Sequence, residues 1–167
     1  MNPVTLLPVM FEINVTDQQD LLEVDLDRIE TIARDLLTHE QVVRAEISIA
    51  LIDSQTMQHL NNTHLGHDYD TDVLSFLLDS APEMNAQTIP RGAGKAIEGE
   101  VLVSTKIAQQ AAAAEHDWDV AHEVALYVVH GLLHLLGYDD LSEEERRTMQ
   151  ARERLHLARW DLVPPGR

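Results

Sequence analysis

The chain has 167 residues, 44% of them hydrophobic and 25% charged, and no cysteine. That length suits one domain with one core, and the composition excludes a disordered chain. Without cysteine there is no disulfide framework and no thiolate site, so any metal has to be held by His, Asp or Glu, and the formal net charge of −17 taken alone argues against a polyanionic partner.

Taken in chain order, "FEINVTD" alternates Phe11, Ile13 and Val15 with polar residues and reads as a half-buried strand. "DLDRIETIARDLLTHE" places Leu26, Ile29, Ile32, Ala33, Leu36 and Leu37 at helical spacing behind a capping Asp25. "AEISIALID" is a strand, "SQTMQHLNNTHLG" a short helix closed by Gly66, and "TDVLSFLL" another strand. Residues 79–96 hold Pro82, Pro90, Gly92 and Gly94 and read as a long loop. "GEVLVST" is a strand, and the alanines of "STKIAQQAAAAEHD" favour a helix. "DVAHEVALYVVHGLLHLLG" is the most apolar helix, with Gly137 as its stop. Ser142 and Glu145 have capping-box spacing and open a last helix to about Trp160.

This β-α-β-α-β-β-α-α-α order, without repeat or linker, predicts an α+β fold over residues 1–167. It would be a single domain in which a small mixed β-sheet is packed with helices. The acids are uneven: residues 1–40 hold nine acids and two arginines, whereas Ser142 to Arg159 carries Arg146, Arg147, Arg152, Arg154 and Arg159 among its glutamates. Those arginines read as i,i+4 ion pairs on a solvated face, with an RNA or protein contact as the rival. The longest apolar run, Val124 to Leu136, is interrupted by His130, Gly131 and His134. It is shorter than the ~20 residues of a bilayer span. With no basic leader in "MNPVTLLPVMFEINVTD", the expectation is a soluble intracellular protein without a membrane partner.

"VVHGLLHLLGYDD" carries the chemistry. His130 and His134 stand at i and i+4, so they project from one face of the apolar helix, where two imidazoles can share one cation. The bland alternative is a pair of core histidines bonded to backbone. Gly137 then lets the chain reverse, so that Asp139 or Asp140 can return a carboxylate to the same point. A metal site on a central helix follows. The spacing is near the H-E-x-x-H of zinc proteases, but Gly131 stands where the general-base glutamate would be.

"HGLLHLLGYDD" also resembles the H-G-x-L-H-L-x-G-Y-D-H signature of the YbeY endoribonucleases, the bacterial rRNA maturation factors. "TDVLSF", Thr71 to Phe76, resembles that family's T-D-V-L-S-F strand, and "GEVLVS", Gly99 to Ser104, its G-D-I-x-I-S strand. The likeness runs from about Ile47 to Asp140. It implies a zinc-dependent (Zn2+) endoribonuclease, cytoplasmic, acting on single-stranded or ribosomal RNA. It implies work in 3′-end maturation of small-subunit ribosomal RNA and in ribosome quality control. The partners would be the small ribosomal subunit and ribosomal proteins.

The family's three histidine ligands map to His130, His134 and position 140, which here is Asp140. Aspartate is a legitimate zinc ligand, so a His2Asp site is expected, with Asp139 and then His156 as alternative third ligands. The carboxylate would weaken the acidification of bound water, and Fe2+ or Ni2+ also suit such donors. The matched strand brings Asp72 and Ser75 forward as catalytic residues. Glu123, two turns before His130, reads as a surface acid or a partner to the histidine. Where the family carries an arginine, "HLGHDYDTDV" has Leu65, which cannot pair with phosphate. His64, His67, Arg91 or Lys95 would have to replace that arginine. Two other functions fit less of the pattern: a ribosome-assembly factor with a structural metal and no turnover, and a metal-dependent hydrolase of another substrate class.

Overall fold

A computed structural model describes residues 8–82 and 91–166. Among the described residues the strands are β1 (Met10–Gln18), β2 (Arg44–Ile52), β3 (Val73–Pro82) and β4 (Lys95–Ser104). The helices are α1 (Leu26–His39), α2 (Ser54–Leu65), α3 (Thr105–Ala113), α4 (Val120–Leu135) and α5 (Glu143–Ala158). The sheet order is β1-β2-β4-β3. β1 and β4 flank β2 in parallel, and β3 closes the edge antiparallel to β4. The α+β mixed sheet expected from the pattern is the fold observed.

The alternation in β2 sorts two cores. Ala45, Ile47, Ile49 and Leu51 point to the main core with α1, α3, α4 and α5, while Ala50 and Ile52 point to the opposite face. There they meet Met57 of α2, Leu74 and Leu102. Successive strand residues face opposite sides of a sheet, so one strand serves both layers. α4 runs through the main core. Val124 to Val129 and Leu132, Leu133 and Leu135 are all buried, which is the signature of a helix covered all round.

The capping chemistry agrees with the sequence. Asp25, Asp53, Ser104, Asp119 and Ser142 each accept a backbone N–H at the start of a helix. Gly66 ends α2 with φ +70°, and Gly137 follows α4 with φ +92°. Two expectations change. The loop expected over 79–96 is strand at both ends, because β3 and β4 stay paired out to Pro82 and Lys95. Pro82 tolerates this as the last residue of an edge strand, where its missing N–H costs least. Residues 83–90 of that expected loop lie outside the described residues. The helix expected to Asp117 stops at Ala113, and Asp117 takes φ +56° in the turn that follows.

Gly131 marks where α4 touches the sheet. A Cβ there would lie 2.6 Å from Val101 Cγ1 and 3.1 Å from both Val73 Cγ2 and Ser75 Oγ. The close approach at this glycine is therefore to β3 and β4. Gly131→Ala is expected to destabilise by about 1–3 kcal/mol through overpacking, despite the better helix propensity of alanine. Thermal unfolding measures it, and an unchanged or raised Tm would show that the sheet yields at no cost.

Candidate metal centre

The i,i+4 spacing on α4 puts the two imidazoles side by side, with Nε2 of His130 and Nε2 of His134 3.0 Å apart. After Leu136, Gly137 donates to the His134 carbonyl and Tyr138 to the Leu133 carbonyl. This closes the helix and sends the chain back along it. Asp140 then lies with Oδ2 3.7 Å from His130 Nε2 and Oδ1 3.7 Å from His134 Nε2. His130, His134 and Asp140 are all half-buried, and each offers a ligand atom within 4.8 Å of the others. Tetrahedral ligands about 2.0–2.1 Å from one ion sit about 3.3 Å apart, so these separations bracket what a single cation needs.

The donor set fits a cation chemically as well. Nδ1 of His130 is 2.6 Å from Oε1 of Glu153 on α5, whose side chain is fully buried. A carboxylate accepts, so Nδ1 carries the proton and the Nε2 lone pair faces the cluster. Burial, then the neighbouring His130, push the His134 imidazole below its ordinary pKa, against the pull of Asp140, Asp139 and the Tyr138 backbone. The neutral form that ligates a metal is thereby favoured. Asp139 Oδ1 instead accepts from the Asp140 N–H and shapes the turn.

A second buried network braces the same loop. Glu40, at the end of α1, receives Arg152 Nε at 2.5 Å, His156 Nε2 at 2.7 Å and the Tyr138 hydroxyl at 3.1 Å. Burial alone would raise the Glu40 carboxyl, but His156 and Arg152 outweigh it and hold the pKa at about 2. His156 is therefore spoken for at Glu40 and is absent from the three-residue cluster. The arginines of α5 behave differently from the expected solvated pairs. Arg147 and Glu143 do form an i,i+4 pair, but Arg152 reaches Glu40 and Arg159 makes two bonds to Asp35. They tie α5 to α1.

The cluster opens into a cleft of about 430 Å³ that also includes Leu65, Asp72, Ser75, Leu77 and Leu135. Both candidate catalytic residues are thus in the same cleft as the histidines. Asp72 uses Oδ1 to accept from the Val73 N–H and the Thr71 hydroxyl. Ser75 donates its hydroxyl to the Gly131 carbonyl at 3.0 Å. Leu65 lines the cleft, half-exposed, and among the described residues the lining holds no lysine or arginine. The four residues considered as substitutes for the arginine stand elsewhere. His64 packs on Phe76, His67 stacks on Tyr69, Arg91 lies over the Tyr138 ring, and Lys95 is not in the lining. Glu123 is buried, at 7% exposure, and takes the Trp118 indole N–H at 2.5 Å, so it is neither a surface acid nor a partner of His130.

No local motif marks Glu153 or Glu40, whose partners lie on other elements. The one signal was an acid on the inward side of α5: Met149, Glu153, His156 and Leu157 form its buried face. A glutamate at a core position without an apolar excuse points to a buried polar partner.

The profile of the family described as Endoribonuclease YbeY matches residues 14–161. Relatives described as Endoribonuclease YbeY include one from Salinispora tropica, 38% identical over 142 residues, covering 83% of this chain and 89% of its own. Another, from Salinibacter ruber, is 36% identical over 135 residues and covers 81% and 83%. One from Halalkalibacterium halodurans is 32% identical over 159 residues and covers 91% and 97%. A solution structure of a Thermotoga maritima protein superposes with a TM-score of 0.56 at 20% identity, over 93% of this chain and 99% of that one. It supports the fold alone.

Proposed function

Because this chain belongs to the Endoribonuclease YbeY family, we propose that it is an endoribonuclease that cleaves single-stranded RNA with one divalent cation held by His130, His134 and Asp140. The observation that carries the reading is the convergence of those three side chains at one end of a cleft. The proposed biological setting is cytoplasmic maturation of small-subunit ribosomal RNA at its 3′ end and ribosome quality control, beside the small subunit and its proteins. Among the described residues no helix is long and apolar enough to cross a membrane.

Zinc is the proposed ion from the family likeness. When bound, it would supply positive charge to polarise the phosphoryl group and to acidify water. The chain's own residues do the rest. Glu153 holds the proton on His130 Nδ1 and so keeps Nε2 directed at the ion. Ser75 fixes α4 against β3 through the Gly131 carbonyl and keeps its oxygen in the cleft. Asp72 lines the cleft with its two hydrogen bonds on Oδ1, so that Oδ2 would be the atom to accept a proton from an attacking water.

The test is elemental analysis of the purified protein beside Asp140→Ala, with cleavage of a single-stranded RNA measured on both. One ion per chain is expected, lost in the variant together with cleavage. Metal kept in the variant, or cleavage undiminished, would sink the assignment. The lack of a lysine or arginine in the cleft lining among the described residues favours one second reading, an assembly factor that binds metal and cleaves nothing. Such a protein would co-sediment with ribosomal particles and leave RNA intact.

A further inference from the structure

The aspartate does more than stand in for a neutral ligand. Its two oxygens are turned to different imidazoles, Oδ2 toward His130 and Oδ1 toward His134, at the same 3.7 Å. A carboxylate that donated through one oxygen would bring that oxygen alone to the pair and turn the other away. The symmetric placement has both oxygens facing the point where the imidazole lone pairs meet. The surroundings add negative charge: Glu153 is on His130, and Asp139 and Asp72 are close by. Hard oxygen donors and added negative charge suit ions that accept more than four ligands, and two histidines with one carboxylate leave open positions on such ions.

We infer that Asp140 offers both carboxylate oxygens to the cation, so that the site favours a coordination shell larger than tetrahedral and, compared with a three-histidine site, takes ions such as Mn2+ or Fe2+ more readily beside Zn2+. The inference rests on the metal site proposed above. It has a functional consequence. The cleft lining holds no lysine or arginine among the described residues, so the charge of a phosphodiester has to be met by the ion. A tetrahedral site with three protein ligands keeps one open position, whereas a larger shell keeps more. A phosphate oxygen and a water can then be held side by side without a cationic side chain.

Cobalt(II) distinguishes the two shells by its visible spectrum, because tetrahedral Co2+ absorbs far more strongly than ions of higher coordination. The intact protein is titrated with Co2+ alone, beside Asp140→His. The expected result is a weak band for the natural protein and an intense one for Asp140→His. In competition between Mn2+ and Zn2+ read by elemental analysis, the Mn2+ share should fall on the order of tenfold in Asp140→His, which loses the anionic oxygen donor. An intense tetrahedral band in the natural protein would overturn the inference and leave the metal site standing. No cobalt retained at all would overturn both. The spectrum of the natural protein decides the question even if the variant fails to fold.

Discussion

Replacing Glu153 is expected to weaken divalent-metal binding by about tenfold as glutamine and about 100-fold as leucine, the range seen when a carboxylate behind a metal-bound histidine is removed. The two variants separate charge from geometry. Glutamine keeps an oxygen that accepts from His130 Nδ1 and loses only the negative charge. Leucine fills the space but leaves the Nδ1 proton without its carboxylate, so the ring is free to rotate or change tautomer. It also leaves a buried donor unsatisfied, at a cost of about 1–3 kcal/mol. Because Glu153 is fully buried, solvent cannot replace it. Metal affinity by competition with a chelating dye reads the first effect, and Tm in excess chelator reads the second. The idea fails if both variants bind metal as the natural protein does.

Glu40→Ala is expected to be the most destabilising of these changes, by about 3 kcal/mol, the scale for breaking a buried charged pair from one side. It leaves His156 and Tyr138 buried, and Arg152 partly so, each without its carboxylate. For a domain of this size that corresponds to a Tm lower by about 6–12 °C. The same carboxyl makes a pH prediction. Its folded pKa is depressed from 4.5 to about 2, so its contribution is complete above pH 4.5 and is lost as pH falls toward about 2. The contribution is about 3 kcal/mol, since each pKa unit is worth about 1.4. Urea unfolding through that window should show the natural protein losing stability more steeply than Glu40→Ala. Parallel slopes would show that Glu40 is not depressed in the folded state. Because Tyr138 adjoins Asp139 and Asp140, Glu40→Ala should also loosen the turn that presents Asp140.

The two glutamates also mark the boundary of what a linear reading reaches. His130 and His134 were legible because four residues of helix return a side chain to the same face, which is a local property. A carboxylate returning from Asp139 or Asp140 was legible because Gly137 can reverse the chain at once, again locally, and the family likeness singled out Asp140. The same holds for the strands, whose alternation reports two faces, and for the caps at Asp25 and Ser142. Where local pattern misled, packing had intervened. Glu123 reads as a surface acid or a partner to His130, but Trp118 folds back onto it. The arginines of α5 were read as pairs along their own helix, yet Arg159 bonds to Asp35, 124 residues away.

Sequence alone therefore determined the order of the elements, the family likeness and a histidine pair with a carboxylate close behind it, since the pattern in each stretch depends on residues a few positions apart. Only the tertiary structure decided what stands behind and around those donors. It set Glu153 of α5 on His130 and Glu40, the C-cap of α1, under Tyr138, and it placed Leu65 in a cleft lining that holds no lysine or arginine among the described residues. The physical reason is that periodicity tells which face of an element is buried. The partner it meets there is chosen by how whole elements pack, and a charged group accepts burial only where that packing supplies its counterpart.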